Sequence, residues 1–385
     1  MNILMLEPYY TGSHANWING YIRYSSHNVK VIGMKGRFWK WRMHGGAIHI
    51  AEEFLKSDFK PELIVASDMM DLSTFISLCR HKLNGVKTAL YFHENQLSYP
   101  WSPSDRDKNE GRDFHYGFIN YSSALSADIC LFNSKYHMES FLDSLEAFLQ
   151  RLPDYNGISN VDSIRKKSQV LHLGLEYENF DIAAEKHAHE TSVIKHKSHL
   201  EPSQKMRNEP ALVLWNHRWE YDKNPYDFFN ALIFLNEKGL DFNVAVLGES
   251  YKNIPDIFEK ARASLGDKIV SFGKAESFSE YAQWLCKCDL LPVTSNQEFF
   301  GISVMEAVYC GCYPILPNRL TYPELIGINE NPGNFYSDFD ELVEKMEWAI
   351  VNIGHIRKQD MSHIAAGFSW KSMSLHYDSL FEEII

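Results

Sequence analysis

Short apolar runs alternate with amphipathic stretches over the first half of the chain. The runs read NILMLE, VKVIGM, ELIVAS, KTALYF, ADICLF and SQVLHLG. Apolar strands that are separated by helical segments are typical of a parallel sheet with helices on both faces. The pattern therefore predicts one α/β domain over residues 1–182.

Polar sequence interrupts this pattern over residues 183–208. The segment reads AAEKHAHETSVIKHKSHLEPSQKMRN and has no apolar periodicity, which favours a linker. The alternation resumes over residues 209–360 with the runs ALVLWN, FNVAVLG, KIVSFG, DLLPVT and CYPILP. Helices are expected between these runs, over Tyr226–Asn236, Ile257–Leu265 and Phe278–Cys286 and from Ser303 onward. These elements predict a second doubly wound domain.

The last segment, residues 361–385, carries apolar side chains at helical spacing. They are Trp370, Met373, Tyr377, Leu380 and Ile384. Such a stripe predicts a terminal helix that packs back across the domains. Two Rossmann-like domains joined by one linker would place the carboxyl ends of two parallel sheets on opposite sides of an interdomain cleft, and ligands bind at such strand ends.

Composition narrows the class of protein. The chain has 385 residues, with 38 Lys and Arg against 50 Asp and Glu, and its formal net charge is −12. That balance argues against a general electrostatic grip on nucleic acid but leaves a local basic patch open. The six cysteines lie in apolar stretches of a large chain, which favours buried free thiols and a reducing compartment. No apolar run is long enough for a membrane span, so we expect a cytoplasmic protein.

The segment TSNQEFFGISVMEAVYCGCYPIL carries the strongest chemical signal. Glu298 precedes a turn at Gly301, and Glu306 lies on a helix that opens near Ser303, directly after a predicted strand. The N-terminus of a helix favours anions, and both glutamates can face one ligand. The alternative is that Glu306 is an ordinary acid near the start of a helix.

Two cations follow the first strand of the same domain. Arg218 and Lys223 lie in the loop WNHRWEYDKNP after ALVLWN. An arginine fork and a mobile lysine at a strand end, opposite a helix N-terminus, are suited to clamp a diphosphate. Ordinary solvated surface charges are the alternative.

These residues resemble the donor site of retaining, GT-B-fold glycosyltransferases of the family-4 type. The segments NPYDFFNAL, IVSFGKAESFSEYAQWLCKCDLLPVTSNQEFFGISVMEA and FSW follow the order found in that family. The resemblance implies a nucleotide-sugar donor whose diphosphate contacts Arg218 and Lys223, with Glu306 on the ribose and Glu298 on the sugar. It also implies that backbone N–H groups of Phe300, Gly301, Ile302 and Ser303 meet phosphate and sugar. No metal and no further cofactor are required, because the cations and the helix dipole stabilise the leaving diphosphate.

The N-terminal domain has its own candidates. A strand-to-helix turn reads PYYTGSHANW, where Gly12 permits close approach of the backbone and Ser13 and His14 can point into the cleft. The resemblance implies that this glycine-containing loop closes over the donor phosphate and the acceptor, so that Gly12 would bind the donor and Ser13 and His14 the acceptor. At the end of KTALYF stands HENQLSYP, and the resemblance implies that His93 contacts the donor sugar near the reacting carbon. Glu94 and Asn95 would contact the acceptor.

A narrower resemblance is to the tRNA-queuosine mannosyltransferase group. It rests on MLEPYYTGSHANW, MKGRFWKWRMHGGAIH, ASDMMDL and FHENQLSYP. It implies GDP-mannose as donor and the queuosine base of a tRNA anticodon as acceptor. In support, the cations Lys35, Arg37, Lys40 and Arg42 interleave with Phe38, Trp39 and Trp41, a pattern that suits phosphate contacts and base stacking. The alternative is an aromatic loop packed on its own domain.

Two aspartates after ELIVAS leave a further choice. Asp68 and Asp71 either bind hydroxyl groups of the acceptor or cap the next helix.

Other chemistries lack the residues they need. Cys286-x-Cys288 and Cys310-x-Cys312 do not have the spacing of a zinc site. The chain has no GxSxG elbow or Walker loop, and no GxGxxG follows its first strand. A family-4 enzyme with a glycan or small-molecule acceptor, and a non-catalytic binding protein for nucleotide-sugar or RNA, remain the alternatives.

Overall fold

A computed structural model describes residues 1–101, 114–183, 209–250 and 254–385. The chain forms two compact units, of which the first comprises residues 1–175 and 368–385 and the second residues 176–367. The predicted linker, residues 183–208, lies outside the described residues except for Ala183.

The boundaries of the units differ from the predicted positions 182 and 361. In the first unit, the backbone N–H of Leu175 donates to the carbonyl of Phe368 at 2.8 Å, and that of Trp370 donates to the carbonyl of Leu175 at 3.0 Å. These bonds hold the two ends of the first unit side by side. The chain therefore leaves this unit at Leu175 and re-enters it at Phe368.

The first unit is built on a parallel sheet in the order β2-β1-β3-β4-β5-β6. Its strands are β1 (Asn2–Tyr10), β2 (Asn28–Lys35), β3 (Leu63–Ser67), β4 (Lys87–Phe92), β5 (Ile129–Phe132) and β6 (Ser168–Val170). Its helices are α1 (Gly12–Tyr24), α2 (Trp39–Lys56), α3 (Leu72–Cys79), α4 (Phe114–Ser126), α5 (Lys135–Leu149) and α6 (Asn160–Lys166). The central strands are buried along their whole length, as the unbroken apolar runs predict.

The second unit repeats this architecture, with a parallel sheet in the order β12-β11-β10-β7-β8-β9. Its strands are β7 (Ala211–Trp215), β8 (Phe242–Val246), β9 (Ile269–Phe272), β10 (Leu290–Pro292), β11 (Tyr313–Pro317) and β12 (Phe335–Tyr336). Its helices are α7 (Pro225–Glu237), α8 (Ile257–Leu265), α9 (Phe278–Lys287), α10 (Ile302–Tyr309), α11 (Tyr322–Ile326), α12 (Phe339–Val351), α13 (Ile353–Ile356) and α14 (Ser362–Ala366). The doubly wound α/β class is confirmed for both units.

The terminal helix α15 (Trp370–Ile384) packs on the first unit. Trp370 packs directly on Gly20, because a Cβ added at Gly20 would come within 1.9 Å of the ring nitrogen of Trp370. The carboxylate of Asp378 is buried and accepts hydrogen bonds from Tyr21, Ser25 and Ser26.

The predicted apolar stripe of this helix needs one correction. Phe381 is fully buried, while Leu380 and Ile384 are half-buried. The buried face therefore continues from Tyr377 to Phe381, four residues on, where both rings pack near Tyr21.

All six cysteines are free thiols, and Cys286 and Cys310 are the two that are half-buried. Within the described ranges, no helix combines the length and the apolar character that a membrane span needs.

Candidate active site

Lys223 is the centre of a charged cluster in the second unit. Its ammonium group lies 3.1 Å from a carboxylate oxygen of Glu298 and 3.2 Å from one of Asp222, and it donates to the carbonyl of Gln297 at 3.0 Å. Lys223 is 7% exposed. Burial opposes its charge, but Glu298 and Asp222 raise the pKa of Lys223 above its ordinary value. Burial likewise opposes the charge of Glu298, but Lys223 holds the pKa of Glu298 below its ordinary value. Both groups are therefore charged at neutral pH.

Loop geometry brings this pair together. The loop after β7 and the loop after β10 are tied by the hydroxyl of Thr294, which donates to the carbonyls of Lys223 and Asn224 at 3.0 and 2.8 Å. Asn224 has a left-handed backbone and caps α7 by accepting from the N–H of Asp227. Because parallel strands end at one edge of a sheet, residues 75 positions apart meet here.

Arg218 differs from Lys223 in its surroundings. Its side chain is 46% exposed and lies 3.3 Å from Glu220 and 3.9 Å from Asp222. An exposed guanidinium can turn toward a ligand at little cost, whereas the ammonium of Lys223 is held by its carboxylates. The two predicted cations therefore lie at the same strand end in different environments.

His217 is a buried neighbour of these cations. Its Nδ1 lies 3.2 Å from the hydroxyl of Ser303, and burial together with the charge of Lys223 lowers the pKa of His217 to about 3. Its Nε2 is buried and has no hydrogen-bond partner within the described part of the chain. His217 is therefore neutral and leaves one ring nitrogen for a ligand.

The N-terminus of α10 lies next to this histidine. Gly301 precedes the helix with a φ of 85°, and no side chain caps the helix there. Asn216, directly after β7, holds Ser303 in place, because its side-chain amide donates to the backbone carbonyl of Ser303 at 2.7 Å. An uncapped helix start beside two cations favours an anionic ligand.

Glu306 lies one turn further along α10. It is half-buried, and one of its oxygens accepts a hydrogen bond from the hydroxyl of Tyr281 at 2.8 Å. Burial raises the pKa of Glu306 to about 7, although the bond from Tyr281 acts in the opposite direction. Its placement, like that of Glu298, agrees with the predicted order of loop and helix.

The first unit contains a second polar cluster, which begins with an acid inside β1. Glu7 is fully buried; one oxygen accepts from the N–H of Tyr9 at 2.8 Å and the other lies 2.9 Å from Nδ1 of His14. The strand is irregular between Glu7 and Tyr10. Burial opposes the charge of the imidazole, but Glu7 raises the pKa of His14 to about 9.

Asp68 and His93 extend this cluster from the ends of β3 and β4. The N–H of His93 donates to Asp68 at 2.8 Å, and the rings of His14 and His93 lie 4.3 Å apart. Burial raises the pKa of Asp68 to about 8, and burial and the charge of His14 place the pKa of His93 well below its ordinary value. In the described part of the first unit, Nε2 of His93 and one carboxylate oxygen of Asp68 are buried without a partner.

Asp71, and not Asp68, caps the following helix. Its carboxylate accepts from the N–H of Thr74 at 3.0 Å at the start of α3. The predicted capping role therefore belongs to Asp71, and the binding of acceptor hydroxyl groups by Asp68 stays a prediction.

The remaining candidates of the first unit have different surroundings. Gly12 and Ser13 are exposed at the start of α1, and Gly12 has a φ of 52°. Glu94 accepts from the side chain of Gln96. The amide of Asn95 is buried and holds a turn through the N–H groups of residues 97 and 98 and the hydroxyl of Ser98. Asn95 therefore shapes this loop with its side-chain atoms.

Lys35 at the end of β2 and Arg37 in the loop before α2 are both exposed. Lys35 pairs with Tyr10 at the end of β1, while the polar cluster of Glu7, His14, Asp68 and His93 lies at the ends of β1, β3 and β4.

Within the described ranges, Glu7, His14 and His93 are the side chains spaced for a metal ion, with ligand atoms within 4.8 Å of one another. The direct bond between Glu7 and His14 accounts for this spacing without an ion. The absence of a metal requirement stays a prediction.

Comparisons with known proteins identify the family. Residues 2–175 match the family model described as the N-terminal part of tRNA-queuosine alpha-mannosyltransferase, and residues 197–364 match that of glycosyl transferases group 1. A curated tRNA-queuosine alpha-mannosyltransferase from Drosophila melanogaster is 36% identical over 346 residues, which cover 90% of this chain and 86% of that protein. The chain belongs to the tRNA-queuosine alpha-mannosyltransferase family.

Solved structures agree on the fold. A sucrose-phosphate synthase from Thermosynechococcus elongatus superimposes with a TM-score of 0.67 at 13% identity, covering 100% of this chain and 99% of that one. Anabaena HepE in complex with UDP and glucose superimposes with a TM-score of 0.62 at 14% identity, covering 100% of both chains. The predicted GT-B fold and the resemblance to this family are confirmed, and the protein is a glycosyltransferase.

Sequence reasoning missed several polar residues of the charged cluster in the second unit and of the polar cluster in the first unit. Glu7 had a signal, because an acid inside an apolar strand is unusual, and His217 stands directly before Arg218. Tyr281 had none, since it lies 25 positions before its partner Glu306.

Proposed function

We propose that the protein transfers a mannosyl group from GDP-mannose, with retention of configuration, onto the queuosine base of tRNA. The observation that carries this proposal is the 36% identity to a curated tRNA-queuosine alpha-mannosyltransferase over most of both chains. A tRNA acceptor also fits the cytoplasmic location that the free cysteines predict.

We place the donor in the second unit. The diphosphate would lie at the uncapped start of α10, with Arg218 and Lys223 compensating its charge. The backbone from Phe300 to Ser303 would contact phosphate and sugar. These cations act where charge accumulates during the reaction, so they lower the barrier by electrostatic stabilisation.

The two glutamates would bind hydroxyl groups. Glu298 is 21% exposed while its other side holds Lys223, so it can reach a sugar hydroxyl as a fixed acceptor. Glu306, with Tyr281 behind it, would bind the ribose.

In the proposed reaction the bond between C1 of mannose and the diphosphate oxygen breaks, and its electron pair leaves with the diphosphate. The acceptor hydroxyl attacks C1 from the same face, and a phosphate oxygen takes the hydroxyl proton. No side chain has to act as the base. We assign His93 to the transferred sugar, which its buried and unpartnered Nε2 supports.

On the acceptor side we propose Ser13, His14 and Asp68, while Gly12 in the same loop would contact the donor phosphate. The unpartnered oxygen of Asp68 suits a hydrogen bond with a hydroxyl group, and His14 offers a cationic ring edge. Glu94 is the neighbouring acid in the same cluster. These side chains match an acceptor that presents vicinal hydroxyl groups.

Mass spectrometry of queuosine-containing tRNA tests the proposal. The tRNA is incubated with the protein and GDP-mannose, digested to nucleosides and scored for a hexose on queuosine; UDP-glucose in place of GDP-mannose tests the choice of donor. We expect a hexose gain with GDP-mannose that is lost in Glu298→Gln and retained in Glu259→Gln, an exposed acid of the same unit. No gain with a protein that binds the donor nucleotide would reject the tRNA acceptor.

A further inference from the structure

Two aromatic side chains project from the start of α2. Phe38 is 76% exposed and Trp41 is 63% exposed. Trp39 lies between them in sequence but is half-buried, with its ring 5.1 Å from that of Tyr116. A single exposed ring is common on a protein surface, but two large exposed rings within four residues favour a surface that meets a partner.

The backbone of Phe38 is strained. It has φ and ψ of 56° at the N-cap of α2, a left-handed conformation that is unfavourable for a bulky residue. Its ring makes little use of the protein core, so packing does not compensate this strain. Strained residues of this kind cluster at functional sites.

The sequence around these rings is free of acids. Residues 8–51 contain six Lys and Arg and no Asp or Glu, in a chain whose net charge is −12. Lys35 and Arg37 are exposed beside Phe38, and Arg42 ties the loop by donating from Nε to the carbonyl of Lys35 at 3.2 Å. This stretch is therefore electrostatically suited to phosphate groups.

Close packing joins this loop to the polypeptide that carries His14. A Cβ on Gly36 would come within 2.0 Å of the Thr11 side chain, and one on Gly46 within 2.9 Å of Pro8. The loop and α2 thus lie directly against residues 8–11, which connect Glu7 to α1.

We propose that Lys35, Arg37, Phe38 and Trp41, here called the aromatic–cationic surface, bind unpaired nucleotides of the RNA acceptor. This inference rests on the proposed tRNA substrate. The two exposed rings stack on bases, and the two cations contact the phosphates beside them. Trp39 and Lys40 are excluded from this role, since Trp39 packs against Tyr116 and Lys40 lies over the rings of Trp39 and Trp101.

RNA-binding measurements on the full chain test the proposal. The probe is an RNA stem-loop with an unpaired loop of the anticodon type, and the same stem without the loop is the comparison. Trp41→Ala should weaken binding of the stem-loop about 5- to 150-fold, the range for loss of one stacked base. Trp348→Ala, which removes a 51% exposed tryptophan of the second unit, should leave it unchanged.

Salt dependence separates the rings from the cations. Arg37→Gln should reduce the slope of log affinity against log salt by about 0.7, while Trp41→Ala should leave that slope unchanged. Phe38→Gly and Phe38→Ala should weaken RNA binding equally, because both remove the ring. The Phe38→Gly protein should melt at a higher temperature than the Phe38→Ala protein, because glycine adopts the left-handed backbone without strain.

Two binding results would overturn the proposal. One is wild-type affinity for the stem-loop in Phe38→Ala and Trp41→Ala together; the other is equal weakening of the stem-loop and the loopless stem. Hexose transfer to tRNA that persists unchanged in these variants would reject the surface and leave the proposed function standing. A wild-type protein that transfers no hexose to tRNA, yet hydrolyses GDP-mannose, would reject the acceptor itself.

Discussion

Replacing Glu7 by Gln should remove a pH-dependent part of the protein's stability. Glu7 is fully buried and holds His14 at 2.9 Å, which raises the pKa of His14 from 6.5 to about 9. A histidine whose pKa is higher in the folded than in the unfolded protein stabilises the fold below pH 6.5. That contribution is lost as the pH rises through about 9.

The size of this contribution follows from the shift. At about 1.4 kcal/mol per pKa unit, a change from 6.5 to 9 corresponds to a ceiling of about 3.5 kcal/mol, of which about 2.5 kcal/mol is present at pH 7. In Glu7→Gln the burial of His14 remains and its counter-charge is gone. The variant should therefore be about 2–3 kcal/mol less stable than the wild type at pH 7, and the difference should shrink toward pH 10.

Urea unfolding of both proteins from pH 6 to pH 10 measures this difference. Glu62→Gln is the matched control, because Glu62 is an exposed acid that accepts a hydrogen bond from the N–H of Asn2, a residue of the same strand as Glu7. Among the described residues, Glu62 forms no ion pair with a histidine. Asp68 and Glu94 also act on His14 and are present in all the proteins. In a His14→Asn background, Glu7→Gln should cost much less at pH 7.

A stability difference that stays constant from pH 6 to pH 10 would refute this reasoning. So would an NMR titration in which His14 of the wild type has the ordinary histidine pKa of 6.5.

Three further predictions concern the second unit. Lys223→Met should abolish transfer and lower the stability by about 3–5 kcal/mol, because it leaves buried carboxylates unpaired. Arg218→Met should abolish transfer with little change in the urea midpoint, since the Arg218 side chain is 46% exposed. Equal stabilities of the two variants would contradict the difference in burial. Tyr281→Phe removes the hydrogen bond that favours the ionised form of Glu306, so the pKa of Glu306 should rise above about 7. The acid limb of the pH profile of kcat/KM should then move to higher pH. An acid limb that does not move would show that it does not report the ionisation of Glu306. Gly301→Ala places an alanine at a backbone φ of 85°, which should lower the free energy of unfolding in urea by about 1–2 kcal/mol. Gly333→Ala is the neutral control, because Gly333 has open space around it and no positive φ. An unchanged stability of Gly301→Ala would show that the turn relaxes.

Local pattern alone determined most of the fold. The runs KTALYF and ALVLWN coincide with β4 and β7 to within one residue, because an apolar strand between turn residues is a local signal. The short β12 was missed, since two residues carry no periodicity. The chain's exit at Leu175 was also missed, because it depends on bonds to Phe368 almost 200 positions away.

The candidate donor residues were predictable for a related reason. Arg218, Lys223 and Glu298 follow strands, and parallel strands bring their carboxyl ends to one edge wherever they lie in the chain. What the sequence could not determine is that Lys223 is buried between two carboxylates while Arg218 stays exposed. Burial depends on how the two loops fold over each other, and no local pattern encodes it.

The aromatic residues of α2 show the same division. The sequence places Trp39 and Trp41 two positions apart in a basic segment, with nothing to distinguish their roles. Residues two apart point to different sides of a helix, so the fold turns one ring onto Tyr116 and the other into solvent. Only the tertiary structure decides which side is the core, because that depends on α4, which lies more than 70 residues further along the chain. Glu7 and His14 meet for a comparable reason, since an irregular strand end and a turn of α1 set their 2.9 Å contact.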